Sequence, residues 1–232
     1  MGCGHWLRGA AFVGALWASC ALAQDWNAAG AAAWPEILKQ SVPLPDPFLN
    51  REVGTVAIRL MDAAEPPIAG DDWQAAILDE KEPIAFLLPG GRLAVSVGLF
   101  DLLENQDQLA MIVAHEIAHL MLGHTETRAQ RALAMQPAGA NREVAALTRF
   151  ARDQAATPFT PEEEAAADTY AVDLLTRGGF DPREALALTQ HFGEVENDLA
   201  YAKVHARPSV RAAAIAPVVP RLMLLYPNAE RR

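Results

Sequence analysis

The chain of 232 residues is 51% hydrophobic and 21% charged, with 19 lysine and arginine residues against 29 aspartate and glutamate residues. This composition is typical of one globular domain with a full hydrophobic core. The net charge of −10 disfavours electrostatic binding to nucleic acid or to an anionic membrane, so neither is expected as a partner.

Residues 1–23 have the three parts of a secretory signal peptide. Arg8 supplies the positive start, residues 10–18 form a short apolar stretch, and Ala21-Leu22-Ala23 provides a small-x-small cleavage site. The apolar stretch is too short for a comfortable membrane span, and no later stretch approaches about 20 uninterrupted apolar residues. We therefore expect an exported, periplasmic chain that begins near Gln24 after cleavage and has no integral membrane segment.

Both cysteines, Cys3 and Cys20, lie in this leader. The cleaved chain would then have neither a disulfide nor a thiolate metal ligand. A lipid anchor at Cys20 is the alternative to simple cleavage. Ala18 and Ser19 suit a lipoprotein signal, although Trp17 occupies a position where a small aliphatic residue is usual. The sequence leaves the oligomeric state open.

After the leader we expect an irregular lead-in over residues 24–45 and then one domain over residues 46–232. The lead-in is rich in alanine and interrupted by prolines. Asp46 and Pro47 have the chemistry of a helix cap and first helical turn. Apolar residues then repeat at helical spacing to about Ala64, which predicts the first helix of the domain.

Three short runs with strand character follow, over residues 73–78, 84–88 and 92–97. A charged stretch that ends in Pro83 separates the first two runs, and Pro89-Gly90-Gly91 separates the last two. The simplest arrangement of three such strands is an antiparallel meander. Because the rest of the chain favours helices, we predict the α+β class: a mostly helical domain with a small antiparallel sheet.

The later helices have recognisable first residues. Asn105 can cap the next helix, Thr160-Pro161-Glu162-Glu163 starts a helix that should end at Gly178, and Asp181-Pro182 starts another. The charged, alanine-rich residues 125–159 fit either helical pieces or a mobile insert.

The sequence His115-Glu116-Ile117-Ala118-His119 is the most informative stretch of the chain. Histidines four residues apart stand one turn above each other, so both imidazoles can bind one ion. Glu116 lies about 100° around the helix from His115, where its carboxylate can accept a proton from water without being a ligand. The alternative is a core helix that carries two histidines by chance.

A catalytic zinc site needs a third protein ligand. His124 is nine residues beyond His115, about half a turn away on the helical wheel, so we predict a structural role for it. Glu164 and Asp168 share one face of the helix that Thr160 begins. Glu164 can bind the ion, and Asp168 can accept the N–H of a ligand histidine. The alternative is that these acidic residues only complement the helix dipole.

In combination, these motifs resemble the zinc metallopeptidases of the HtpX and BepA type, which are gluzincins related to the CAAX prenyl proteases. The resemblance covers roughly residues 52–211. The chain shows neither the transmembrane helices nor the tetratricopeptide repeats that some members of this family carry. The chain departs from the family pattern at Ile84, where asparagine is usual, and at Ala206, where proline is usual. The matching segments are 86–91, Gly98-Leu99, 109–124, 164–168, 178–182, His205 and Arg211.

The resemblance implies one Zn²⁺ held by His115, His119 and Glu164, with Glu116 as general base and then acid and Asp168 as ligand support. The expected function is hydrolysis of peptide bonds in protein or peptide substrates, by resemblance in misfolded or misassembled cell-envelope proteins. The oxyanion of the transition state needs a further donor. His205 is the first candidate, followed by Tyr201 and Arg211.

The strand that ends at Leu88, or the one over residues 92–97, could pair with an extended substrate. Two alternatives to an active protease remain. One is a latent protease, in which residues 125–159 or the N-terminal lead-in cover the cleft. The other is a non-proteolytic chaperone or binding module on the same zinc-containing fold.

Overall fold

The structure, a computed structural model, describes residues 25–68, 70, 73–194 and 205–226. The predictions for the leader, for Cys20 and for Tyr201 concern residues outside this part. The strands are β1 (Gln74–Leu78), β2 (Ala85–Leu88) and β3 (Arg92–Ser96). The helices are α1 (Trp26–Gln40), α2 (Pro47–Ala63), α3 (Val97–Phe100), α4 (Gln106–Met121), α5 (His124–Ala134), α6 (Arg142–Arg152), α7 (Pro161–Arg177), α8 (Arg183–Glu194), α9 (Pro208–Ile215) and α10 (Val219–Leu225). The α+β class is confirmed.

The sheet is mixed, so the predicted antiparallel meander is wrong. The strand order is β1-β3-β2; β1 pairs with β3 in parallel, and β2 pairs with β3 antiparallel. Gly90 and Gly91 close the β2–β3 hairpin. Both have φ of +79°, a backbone conformation that other residues rarely adopt. β1 then pairs with the free side of β3, whose residues are all buried. Local patterns identify strands but do not determine which edges pair.

The two faces of the sheet contact different hydrophobic cores. Alternate residues such as Ile77 and Leu87 face the larger core, which includes residues of α2, α4, α7 and α8. Their neighbours Leu78 and Phe86 face a smaller core made with α1, α5 and α6. The period of two along each strand therefore places the sheet between two helical layers.

The lead-in is a helix, which corrects the prediction of irregular structure over residues 24–45. Asp25 caps α1 by accepting a hydrogen bond from the backbone N–H of Ala28 at 2.9 Å. Trp34 and Ile37 are buried in the smaller core, although Pro35 lies inside the helix. Burial of these large side chains outweighs the helix-breaking effect of proline, which local propensity could not reveal.

The predicted helix starts are confirmed. The Asp46 carboxylate accepts hydrogen bonds from the first turn of α2, and Asn105 caps α4. Thr160 and Glu163 form a complete capping box at α7. Residues 125–159 form helical pieces, α5 and α6, followed by a short 3₁₀ helix over Gln154–Ala156.

Within the part of the chain that is described, no single helix is long and apolar enough to cross a bilayer. Taken together, α9 and α10 meet the same criteria of length and composition, and a bend of 41° separates them.

Candidate metal centre

Helix α4 passes through the larger core and carries both histidines of the motif. All its residues from Gln108 to His119 are buried, and it packs against α2, α7 and α8. Two of the three residues between the histidines, Ile117 and Ala118, contribute to the core. Packing of these apolar side chains fixes the rotation of the helix and so directs both imidazoles towards α7.

Four potential ligand atoms converge between α4, α7 and the residues before α9. The Nε2 atoms of His115 and His119 are 3.1 Å apart. The Glu164 carboxylate oxygens lie 3.5 Å from each of these nitrogens, and His205 Nδ1 lies 3.2 Å from both His115 Nε2 and Glu164 Oε1. All four side chains are buried.

These distances fit a tetrahedral metal ion. An ion with metal–ligand bonds of about 2.0–2.1 Å holds its ligands about 3.3–3.4 Å apart. The two histidine Nε2 atoms are 3.1 Å apart, and each lies 3.5 Å from the nearer Glu164 oxygen. Two imidazole nitrogens and a carboxylate are also the donor set of many catalytic zinc sites. The residues therefore fit a divalent cation such as zinc.

The opposite ring nitrogens of the two histidines have partners of their own. His115 Nδ1 lies 3.0 Å from Asp168 Oδ1, and His119 Nδ1 lies 3.1 Å from His124 Nδ1. If each Nδ1 carries the proton, it donates to that partner and the Nε2 lone pair remains available for the ion. In that tautomer both Nε2 lone pairs, 3.1 Å apart, are available to one cation, which supports the metal assignment.

Arg211 completes the surroundings of Asp168. Its Nη2 donates to Asp168 Oδ1 at 2.7 Å, and its Nε donates to the same oxygen at 3.0 Å. Burial raises the pKa of Asp168, but Arg211 and His115 outweigh this effect and hold the pKa well below its usual range. Asp168 is therefore a permanently charged acceptor for His115.

The remaining shifts follow from burial and from neighbouring charges. Burial and the charge of Arg211 both lower the pKa of His115. Hydrogen bonds with Asp168 and Glu164 outweigh them and raise this pKa to about 9 in the absence of metal. Burial lowers the pKa of His119 well below its usual value. Burial also opposes ionisation of Glu164, but the three surrounding histidines hold its pKa far below the usual range. The cluster thus has a charged carboxylate ready for a cation.

Glu116 lies beside the cluster without belonging to it. Its side chain is almost completely buried, and its Oε1 lies 3.6 Å from His205 Nε2. That oxygen has no hydrogen-bond partner among the described residues. Burial raises the pKa of Glu116, which strengthens it as a proton acceptor.

The departure from the family pattern at Ala206 has a structural consequence. The backbone N–H of Ala206 donates to Glu164 Oε2 at 3.1 Å. Proline has no N–H and could not make this bond. The bond restrains the Glu164 oxygen that also lies 3.5 Å from His115 Nε2, and it holds His205 next to the cluster.

Sequence reasoning brought His115, His119, Glu164, Glu116 and Asp168 into one site, and the structure places all of them there. His205, predicted as an oxyanion donor, has its Nδ1 among the four clustered ligand-type atoms. His124 lies outside that cluster, as its predicted structural role requires, and its Nδ1 is 3.1 Å from Nδ1 of His119. Its position five residues after that histidine is a signal that could have suggested the contact.

The family model for peptidase family M48 matches residues 47–219, well over half of the chain. The chain belongs to peptidase family M48. It is 28% identical over 158 residues to the mitochondrial metalloendopeptidase OMA1 of Schizosaccharomyces pombe. The aligned region covers 64% of this chain and 47% of that protein. It is 26% identical over 212 residues to the beta-barrel assembly-enhancing protease of Escherichia coli. The aligned region covers 84% of this chain and 40% of that protein. The chain thus spans less than half the length of either relative.

Proposed function

We propose that this M48 protein is a zinc-dependent metalloendopeptidase with the metal ligands His115, His119 and Glu164. The observation that carries the proposal is the convergence of two histidine Nε2 atoms and the Glu164 carboxylate within 3.1–3.5 Å, beside the buried Glu116. A purely structural metal site has no need of an additional carboxylate that is free of the ligand set.

The chain's own residues supply binding and proton transfer. Zinc, when bound, would polarise the scissile carbonyl and lower the pKa of water towards 7. Glu116 accepts the proton of the attacking water and then delivers it to the leaving amine. Asp168, which Arg211 holds in its charged form, accepts the proton of His115 on Nδ1, so that Nε2 stays directed at the ion.

Strand β2 is the best candidate for substrate pairing. Because β3 lies between β1 and β2, it has no free edge, and the alternative over residues 92–97 is wrong. Strand β2 is an edge strand, and an extended peptide that adds to it would be bound through main-chain hydrogen bonds with little side-chain selectivity.

The test is zinc content measured alongside casein cleavage, on protein of residues 24–232 and on the variant Glu116→Gln. We expect about one zinc per chain in both proteins and cleavage only in the wild type. Absence of zinc from the wild type would refute the metal site. Stoichiometric zinc with no cleavage in either protein would favour the latent form or a non-proteolytic chaperone.

A specific observation favours a latent form as the second candidate. His205 Nδ1 is a fourth ligand-type atom beside the two histidine nitrogens and Glu164, whereas catalytic zinc sites keep the fourth position open for water and substrate. The residues of β2 are no more than 2% exposed, so a substrate strand could not reach them in this conformation. Activation would require displacement of His205 and exposure of β2.

The variant His205→Ala separates the two roles of this histidine. If His205 blocks the fourth corner, its loss should raise the rate of casein cleavage at constant zinc content. If it stabilises the oxyanion, its loss should lower the rate, by a factor of about 10²–10³. Either result identifies the role, because the two predictions have opposite signs.

The proposed substrates are misfolded or misassembled proteins of the cell envelope, with the periplasm as the place of action. Two features support this: the leader pattern of residues 1–23 and the similarity to a beta-barrel assembly-enhancing protease. A lipid anchor at Cys20 remains the alternative to a freely diffusing form. Mass spectrometry of the exported protein would distinguish a start at Gln24 from a lipidated Cys20.

A further inference from the structure

A stack of buried side chains connects the metal centre to the edge strand. The ring of Phe159 lies on the ring of His119, with centroids 3.6 Å apart and an angle of 14° between the planes. The guanidinium of Arg128 lies between Phe159 and Phe150, 4.3 Å and 4.1 Å from their centroids. Phe150 in turn contacts Phe86 of β2 edge to face. We call these five side chains the His119–Phe86 stack.

Arg128 also binds the backbone of the segment that leads to α7. Its Nε donates to the carbonyl of Thr157 at 2.6 Å, and its Nη2 donates to the carbonyl of Gln154 at 2.8 Å. Both carbonyls belong to residues 153–160, which connect α6 to the helix of Glu164 and include Phe159. One side chain of α5 therefore fixes the backbone that positions Phe159.

Besides the bonds of Arg128, α5 contacts this segment through Arg131 Nη2, which lies 3.5 Å from the carbonyl oxygen of Pro158. Gln154 Nε2, Thr157 Oγ1 and Thr125 Oγ1 are buried, and none has a hydrogen-bond partner among the described residues. Each such atom disfavours the observed packing. The hydrogen bonds of the buried, charged Arg128 therefore make the main polar contribution to holding the segment in place.

An arginine here is costly unless it has a specific task. Arg128 is only 3% exposed in a region otherwise packed with aromatic rings, where an apolar residue would avoid the desolvation of a charge. Its planar fork can donate to two carbonyls while both of its faces stack on rings, which neither lysine nor methionine can do.

We propose that Arg128 is a positioning residue for the metal centre, which clamps the 153–160 segment so that Phe159 holds the ring of His119 in its ligand orientation. The proposal rests on the proposed metal site. His124 restrains His119 at Nδ1 and Phe159 restrains the ring face, so the ring is fixed from two directions. Loss of Arg128 would release the second restraint.

The experiment uses the full chain and two readouts, of which the first needs no metal. Hydrogen exchange by mass spectrometry on metal-free protein reports opening of the 153–160 segment. Visible absorption of the Co²⁺-loaded protein reports the geometry of the ligands. The variants are Arg128→Met, Arg128→Lys and Phe159→Leu. Arg149→Met, which changes an exposed arginine of α6, is the matched control.

We expect exchange over residues 153–160 to rise about tenfold or more in Arg128→Met, because hydrogen bonds from a charged donor are lost. Arg128→Lys should restore part of the protection, since it keeps a charged donor. Phe159→Leu should alter the cobalt spectrum but leave exchange at residues 154–157 unchanged, because the bonds of Arg128 remain. Arg149→Met should match the wild type in both readouts.

Wild-type exchange in Arg128→Met, or a wild-type cobalt spectrum in Phe159→Leu, would overturn the proposal. If Arg128→Met does not fold, the cobalt spectrum of Phe159→Leu decides. A wild-type protein that binds no cobalt would overturn the metal site and this proposal together. Casein cleavage that survives Glu116→Gln would overturn the proposed function alone, whatever the result for Arg128.

Discussion

The substitution Arg211→Met tests how strongly a buried ion pair supports His115, a proposed metal ligand. Arg211 donates from Nε and Nη2 to Asp168, and both side chains are no more than 3% exposed. The oxygen that receives the 2.7 Å bond from Arg211 also lies 3.0 Å from His115 Nδ1. Methionine keeps much of the apolar stem of arginine but leaves the buried carboxylate without its cation.

The structure gives the magnitude. Breaking a buried pair by removing one partner destabilises a protein by about 3–5 kcal/mol. Asp168 would still accept the N–H of His115, so we expect a loss near the lower end, about 3 kcal/mol. In a chain of this size, each kcal/mol shifts the melting temperature by roughly 2–4 °C, which predicts a decrease of about 6–12 °C.

The assay is thermal and urea unfolding, with zinc and after chelation, of the single variants Arg211→Met and Asp168→Asn and of the double variant. The coupling energy should exceed about 2 kcal/mol, because both single changes remove the same contact. Arg221→Met changes an exposed arginine of α10 and should shift stability by less than about 0.5 kcal/mol. A loss below about 1 kcal/mol for Arg211→Met, or additive single changes, would refute this account of the pair.

Three further perturbations test the metal site and one tests the fold. Glu164→Ala should reduce zinc content to near zero, and full occupancy by metal analysis would place the third ligand on another residue. His124→Leu should weaken zinc binding about 10–100-fold in competition with a chromophoric chelator, since it removes a partner of a ligand; an unchanged Kd would contradict the contact. Chelation of zinc should lower the melting temperature, because a ligand present at 1,000 times its Kd stabilises the folded state by about 4 kcal/mol; identical melting curves would argue against a bound ion. Gly30→Ala should cost about 1–3 kcal/mol in urea unfolding, because a Cβ there would lie 2.1 Å from the carbonyl oxygen of Pro89. Gly54→Ala, whose Cβ would meet nothing within 4 Å, is the control and should be neutral or stabilising.

The sequence predicted the parts of the fold that depend on neighbouring residues. Helix caps such as Asp46 and Thr160 act within one turn, so their chemistry is visible in a short stretch of sequence. The order of the strands depends on direct pairing of β1 with β3, although β2 lies between them in the sequence. No local pattern encodes this pairing. Helix α1 was missed for a related reason, because burial of Trp34 against distant residues stabilises it despite Pro35.

The residues of the candidate site also fall into two groups: those that local sequence patterns predict and those that depend on distant contacts. His115, His119 and Glu116 follow from one helical period, and Glu164 with Asp168 follows from another. Arg128 and Phe159 could not be predicted, because their roles depend on the path of the 153–160 segment across α5. A sequence can therefore point to candidate ligands on regular helices, while it conceals the side chains of irregular segments that pack against them.

The positions of His205 and Arg211 indicate how the proposed latent site opens while it keeps the proposed ligands in place. His205 lies before α9, whereas Arg211 lies within α9 and holds that helix against α7 through Asp168. Displacement of His205 would break its own contact and that of the Ala206 N–H with Glu164, but it need not break the ion pair. We therefore expect His205→Ala to change the rate of cleavage at nearly constant stability, and Arg211→Met to lower stability. A large loss of stability in both variants would show instead that residues 205–211 form one structural unit.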